Sequence, residues 1–115
     1  MANPNIVGVT TISGTTTVYA LTGTPVTMAN CTSGKVQKVN SLYVSNISST
    51  SPGQVTVYIT RSGTNYRLAA NIVIGAGSTL DLISKSIYLN ESDTLNVFAN
   101  ASSVLEAVCS YEEIS

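Results

Sequence analysis

Apolar and polar side chains alternate with a period of two along much of this sequence, in short runs broken by Gly, Ser, Asn and Pro. That period puts successive side chains on opposite faces of an extended strand, and no sustained helical spacing competes with it. Gln54 to Arg61 is the clearest run: Val55, Val57 and Ile59 point one way, Thr56, Tyr58 and Thr60 the other. It predicts a half-buried antiparallel strand with Val57 and Ile59 inside and Thr56 and Thr60 exposed on the opposite face. Tyr66, Leu68, Ala70, Ile72 and Ile74 form a longer alternating set, with Arg67 and Asn71 opposite. Leu80 and Leu82 flank Asp81; Leu95, Val97 and Ala99 alternate with Asn96 and Asn100; Leu105, Ala107, Cys109 and Tyr111 alternate with Glu106, Val108, Ser110 and Glu112.

The first half is less regular. Asn5 to Ile12 and Thr15 to Thr22 flank Ser13-Gly14, which reads as a hairpin turn. Pro25 to Cys31 predicts another extended piece, and Thr32-Ser33-Gly34 turns the chain into a long run from Lys35 to Asn46. Ser48 to Gly53, Arg61 to Asn65 and Gly75 to Ser78 are loops of hairpin length. Eight to ten short strands follow, about ten residues apart, the rhythm of a sandwich or barrel. The expected fold is all-β: a single antiparallel β-sandwich, jelly-roll or Ig-like, over residues 1–115. Residues 1–12 are either an extended N-terminal arm or the first strand.

Composition narrows the functions such a fold could carry. Lys+Arg total 5 against Asp+Glu 6, a formal net charge of −1, so there is no basic surplus to attract nucleic acid or an anionic membrane. Only 10% of residues are charged, and 16 Ser, 15 Thr and 10 Asn supply the polarity instead. At 43% hydrophobic, with 13 Val and 9 Ile, the chain is too apolar to be disordered. The N-terminus Met-Ala-Asn-Pro-Asn has no positive charge, and no long apolar run follows it, so neither a signal peptide nor a membrane span is expected.

Candidate chemistry fails residue by residue. Histidine is absent, which removes the usual base for a Ser or Cys nucleophile, and Lys35, Lys38 and Lys85 lie in no catalytic motif. Gly75-Ala76-Gly77 lacks the third glycine and the following helix of a dinucleotide loop. Glu112 and Glu113 are adjacent on an expected strand and so face opposite ways. Between Ile87 and Val97, Asn90-Glu91-Ser92-Asp93 forms a polar corner that Asp93 is expected to fix by accepting backbone amides two residues on. The rival, a calcium site of Glu91, Asp93 and Asp81, has fewer carboxylates than calcium loops gather. Cys31 and Cys109 are expected to be buried thiols rather than a disulfide. The Asn-x-Ser/Thr triplets at Asn30, Asn46, Asn90 and Asn100 are what this composition produces by chance. The six tyrosines are expected to cover sheet faces rather than form a sugar-stacking cluster. No catalytic, cofactor-binding or metal-binding residue is assigned, and no cofactor.

Three stretches and the opening carry a resemblance. Met-Ala-Asn-Pro-Asn-Ile-Val with the nearby Val-Thr-Thr-Ile resembles the small virion structural proteins of tailed phages that infect cyanobacteria and other marine bacteria. So do Lys38 to Asn46, Ile87 to Leu95 and Leu105 to Ser115. The resemblance implies a non-enzymatic virion protein, assembled in the host cytoplasm, with the major capsid protein or other virion proteins as partners. The leading expectation is a capsid decoration (cement) protein that bridges major capsid subunits. The alternatives are a neck, tail or baseplate accessory protein, or a carbohydrate-binding β-sandwich of a receptor-binding fibre. A homo-oligomer is expected, a trimer over a capsid symmetry axis, with no nucleic-acid or membrane partner.

Overall fold

A computed structural model describes residues 11–100 and 104–115. Its nine strands are β1 (Ile12–Ala20), β2 (Val26–Asn30), β3 (Val36–Asn46), β4 (Gly53–Arg61), β5 (Thr64–Ile74), β6 (Thr79–Asp81), β7 (Ile87–Leu89), β8 (Thr94–Ala99) and β9 (Leu105–Ile114). They form two antiparallel sheets, one in the order β1-β9-β3-β6 with β7 also on β3, the other β2-β8-β4-β5. β6 pairs with Tyr43 to Ser45 of β3 and β7 with Gln37 to Val39, so the two act as one interrupted strand. The chain then passes from sheet to sheet at every step except β4 to β5. This is the double winding of a jelly roll, and it confirms the all-β sandwich.

Inward side chains of the two sheets make the core. Val39, Leu42, Val44, Leu105, Ala107 and Cys109 come from one sheet and Val55, Val57, Leu95, Val97 and Ala99 from the other. β8 and β9 keep the expected alternation: Leu95, Val97 and Ala99, and Leu105, Ala107 and Cys109, are all buried. β3 keeps it only by slipping. A register shift between Val39 and Ser41 inserts Asn40, so that Val39 and Leu42, three apart, both face inward. The inserted Asn40 donates to Glu112 Oε1 (3.3 Å) and accepts from the Ser86 hydroxyl (3.3 Å).

Three expectations need correcting. Ser13-Gly14 is not a turn: both residues lie inside β1, opposite Glu113 and Glu112 of β9, in a ladder of nine consecutive pairs. Neither residue has a positive φ, and Gly14 is held extended between Ser13 and Thr15, whose backbone groups bond β9 on either side of it. Residues 1–10 of the expected arm or first strand lie outside the described residues, while Ile12 opens β1. In β5 the alternating set breaks, because two register shifts against β4 and a left-handed Asn71 (φ 51°) bring Ala69 rather than Ala70 onto the core. Tyr66 and Leu68 are left exposed. The same bulge buries Thr56, expected outside, because its hydroxyl accepts the Asn71 N–H at 3.1 Å. Val57 is buried as expected, while Ile59 and Thr60 are half-buried.

Candidate functional site

The polar corner at Asn90 to Asp93 is built as a structural lock. Asp93 is almost wholly buried, its side chain 2% exposed against 48% for Arg61. The Arg61 guanidinium grips it from the end of β4, with Nε donating to Oδ1 (2.9 Å) and Oδ2 (3.1 Å) and the second amino group also donating to Oδ2. The carboxylate also accepts the backbone N–H of Asn90 at 2.8 Å. The amide it fixes therefore lies three residues back, not two residues on as expected. The reason is that Ser92 takes a left-handed conformation (φ 72°) and folds the corner over Asp93. Burial pushes the Asp93 carboxyl up, but the Arg61 and Asn90 donors outweigh it and hold it below the usual carboxylate range. Backbone bonds then tie the corner to the β2–β3 turn: Cys31 N donates to Asp93 O (2.9 Å) and Ser92 N to Cys31 O (2.7 Å).

The other carboxylates of the rival calcium site are engaged elsewhere. Glu91 Oε2 accepts the Gly34 N–H (2.6 Å) and the Ser33 hydroxyl (3.1 Å). Asp81 Oδ1 accepts the Ile83 N–H at 3.0 Å, the two-residues-on bond that had been expected at Asp93. Among the described residues no three His, Cys, Asp or Glu side chains gather as metal ligands. A shallow cleft of about 260 Å³ lies beside the lock, lined by Arg61, Ser62 and Asn90 to Asp93. Glu112 and Glu113 do face opposite ways. Glu112 bonds Asn40, whereas Glu113 accepts from Lys35 Nζ (3.2 Å) and Gln37 Nε2 (3.1 Å). Those two donors outweigh burial and lower the Glu113 pKa, the Gln37 bond contributing most.

Both cysteines are buried thiols. Burial raises Cys31, whose Sγ donates to the Lys35 carbonyl (3.3 Å), and pushes Cys109 up to about 11. A thiol held protonated and out of water is a poor nucleophile. Neither should react with a thiol reagent in the folded protein at pH 8, and both should react once it is unfolded. Mass spectrometry of the labelled protein checks this; labelling of the native state would contradict the burial.

The outward faces carry the remaining chemistry. On the β2-β8-β4-β5 sheet, hydroxyls and amides link all four strands: Thr27 Oγ1 donates to Asn96 Oδ1 (2.8 Å), Asn96 Nδ2 to Thr60 Oγ1 (3.1 Å), and Thr60 Oγ1 to Asn65 Oδ1 (2.7 Å). Tyr58 and Phe98 meet edge to face, with centroids 6.3 Å apart. On the other sheet, pairing aligns Val18, Val108 and Tyr43 across β1, β9 and β3, and all three are exposed. The six tyrosines, at 19, 43, 58, 66, 88 and 111, all sit on strands.

No family model and no curated protein matches this sequence. Solved structures do. A subunit of disulfide-linked pili from Bacillus endospore appendages aligns over 91% of this chain and 87% of its own, at 16% identity and a TM-score of 0.55. A protein with a triple jelly-roll fold, from the turret assembly of an archaeal virus, aligns over 93% of this chain at 25% identity and a TM-score of 0.54; this chain spans 30% of that one. A pentameric capsid protein from metagenomic phage sequences aligns over 84% of this chain and 66% of its own, at 20% identity and a TM-score of 0.47. The first two have the same sandwich architecture as this chain.

Proposed function

We propose that the chain is a non-enzymatic structural protein of a virion, acting as a capsid decoration protein that binds neighbouring major capsid subunits. The observation that carries this reading is the match of nearly the whole chain to a jelly roll of a viral turret. The surface supports it. Its polarity comes from Thr, Ser and Asn rather than ions, so it can close on a neighbour without stripping water from many charges. The exposed row of Val18, Val108 and Tyr43 offers apolar contact area within that surface. A disulfide-linked pilus subunit is a poorer reading, because the chain has two cysteines and both are buried. A glycan-binding fibre domain is also less well supported, since no tyrosine among the described residues stands in a loop.

The test is addition of the purified protein to virions stripped of it. Binding that saturates at a fixed ratio to the major capsid protein, with hundreds of copies per particle and a raised particle melting temperature, is expected. Saturation at a ring of a few copies would move the protein to the neck, tail or baseplate. Of residues 1–12, Thr11 and Ile12 pair with the end of β9, so residues 1–10 are proposed as the arm that reaches a neighbouring chain, since they combine Pro4 with no charged side chain. Deleting Met1 to Asn5 should then weaken attachment and leave the melting temperature of the free domain unchanged.

A further inference from the structure

Of the four sheet edges, three are protected against a further strand. β2 has a register shift between Thr27 and Ala29, β5 carries Arg67 and two shifts, and β6 and β7 are three residues each. Bulges, charges and short strands are the usual devices that blunt an edge. β1 has none of them. Its sequence Ile-Ser-Gly-Thr-Thr-Thr-Val-Tyr-Ala has no charge and no proline, and it pairs with β9 through nine residues without a shift. Among the described residues, β1 pairs with β9 alone.

The reciprocal backbone bonds between Thr11 and Ser115, 3.1 and 3.0 Å, set which groups are free. Hydrogen-bonded pairs recur at every second residue of an antiparallel ladder. Ser13, Thr15, Thr17 and Tyr19 therefore turn their N–H and C=O groups toward β9. Ile12, Gly14, Thr16, Val18 and Ala20 turn theirs outward.

We propose that this edge binds a second copy of the chain, β1 against β1, antiparallel about a two-fold axis through Thr15. In that register Ile12 lies opposite the partner's Val18, and Gly14 opposite the partner's Thr16. Every hydrogen-bonded pair then joins residues whose backbone groups point outward, and each pair exchanges two bonds. The side chains select the same register. Ile12 is 59% and Val18 66% exposed, and both stand on the outer face of the sheet. Pairing covers each with the other, twice over. It also extends the exposed row Tyr43, Val108, Val18 by the partner's Ile12. A shift of two residues either sets the partner's Gly14 against Val18 or slides Val18 past the partner's Ile12. Because β1 carries no charge, no like charges meet across the seam.

A single-strand contact falls at the small end of interface sizes, below about 1,200 Å², so the dimer forms as concentration rises rather than being permanent. It is a two-fold contact, and the trimer expected from the sequence would need a different surface. The inference stands on the edge geometry and does not depend on the virion reading.

Sedimentation velocity of the full chain from micromolar to millimolar concentration tests it. The unaltered protein should pass from monomer to dimer. Val18→Lys, at an exposed side chain outside the core, should keep the circular dichroism spectrum and melting of the parent. It should weaken association by about tenfold or more, because the change enters the symmetric contact twice. Adding Ile12→Glu to Val18→Lys places opposite charges across this register alone and should restore the dimer in a salt-sensitive way. A protein monomeric throughout, a dimer untouched by Val18→Lys, or a double variant that stays monomeric would each overturn the proposal. So would a dimer lost on deleting residues 1–10, which would assign the edge to that segment of the second copy.

Discussion

Val57→Asp should leave no soluble folded protein. Val57 is 0% exposed, in the middle of β4, between Val97 of β8 and Ala69 of β5. Its neighbours in the core are aliphatic, so an ionised carboxylate there would have no counter-charge. Leaving a charge unpaired in an apolar interior costs several kcal/mol even after the group protonates. A domain of this size has only about 5–15 kcal/mol of total stability. Expression into the insoluble fraction, with no cooperative melting of any refolded material, is the expected outcome. Ile59→Asp, at the half-buried end of the same strand, should be milder. A Val57→Asp protein that melts like the parent would mean that this face of β4 does not line the core.

Asp93→Ala should be the most damaging substitution outside the apolar core. It removes the carboxylate acceptor of the half-buried Asn90 N–H, opens the corner that holds the β2–β3 turn, and removes the partner of Arg61. Arg61 is about half exposed and can return to water, so its share of the cost is small. The lost charge-assisted bond to Asn90 and the vacated corner account for about 2 kcal/mol. For a domain of this size that is a fall in Tm of roughly 8 °C. Because the native-state pKa of Asp93 lies below its unfolded value, its contribution is complete above about pH 4 and is lost as pH falls through the native value. Melting curves at a series of pH values should therefore show a shallower acid loss for Asp93→Ala than for the parent. An equal loss in both would remove Asp93 from the acid-sensitive groups.

How far the sequence spoke for the fold depended on whether each strand kept an unbroken period of two. β4, β8 and β9 do, and their inward residues were legible as Val55 and Val57, Leu95 to Ala99, and Leu105 to Cys109. β3 and β5 were harder, because a bulge inverts the parity of everything beyond it. Asn40 and Asn71 are the residues at which this happens, and both are polar residues of the kind that also mark turns. Ser13-Gly14 misled for the converse reason. It has the composition of a turn, yet a distant strand holds it extended, and nothing local announces that β9 is its partner. The Asp93 corner was legible as a corner. Its grip by Arg61, 32 positions away, was not, since only the β4–β8 pairing brings the two together. The blunt and open edges were invisible until strand order assigned each strand its neighbours.

The double winding also governs how fast this chain can find its structure. Only β4 and β5 are partners that follow one another along the sequence, joined by Ser62 and Gly63, both at positive φ, in a tight turn that suits the strand twist. Every other ladder joins strands that must first close a large loop, the longest being the one between Ile12 and Ile114. Chains built from such distant pairings fold in milliseconds to seconds rather than microseconds. The β4–β5 hairpin is thus the one element able to form early. β1, the strand with the open edge, waits for β9, the last strand in the described chain, before it has any partner. During that interval its uncharged backbone is available on both sides, and the rate at which β9 arrives sets how long a crowded population of new chains stays exposed to mispairing.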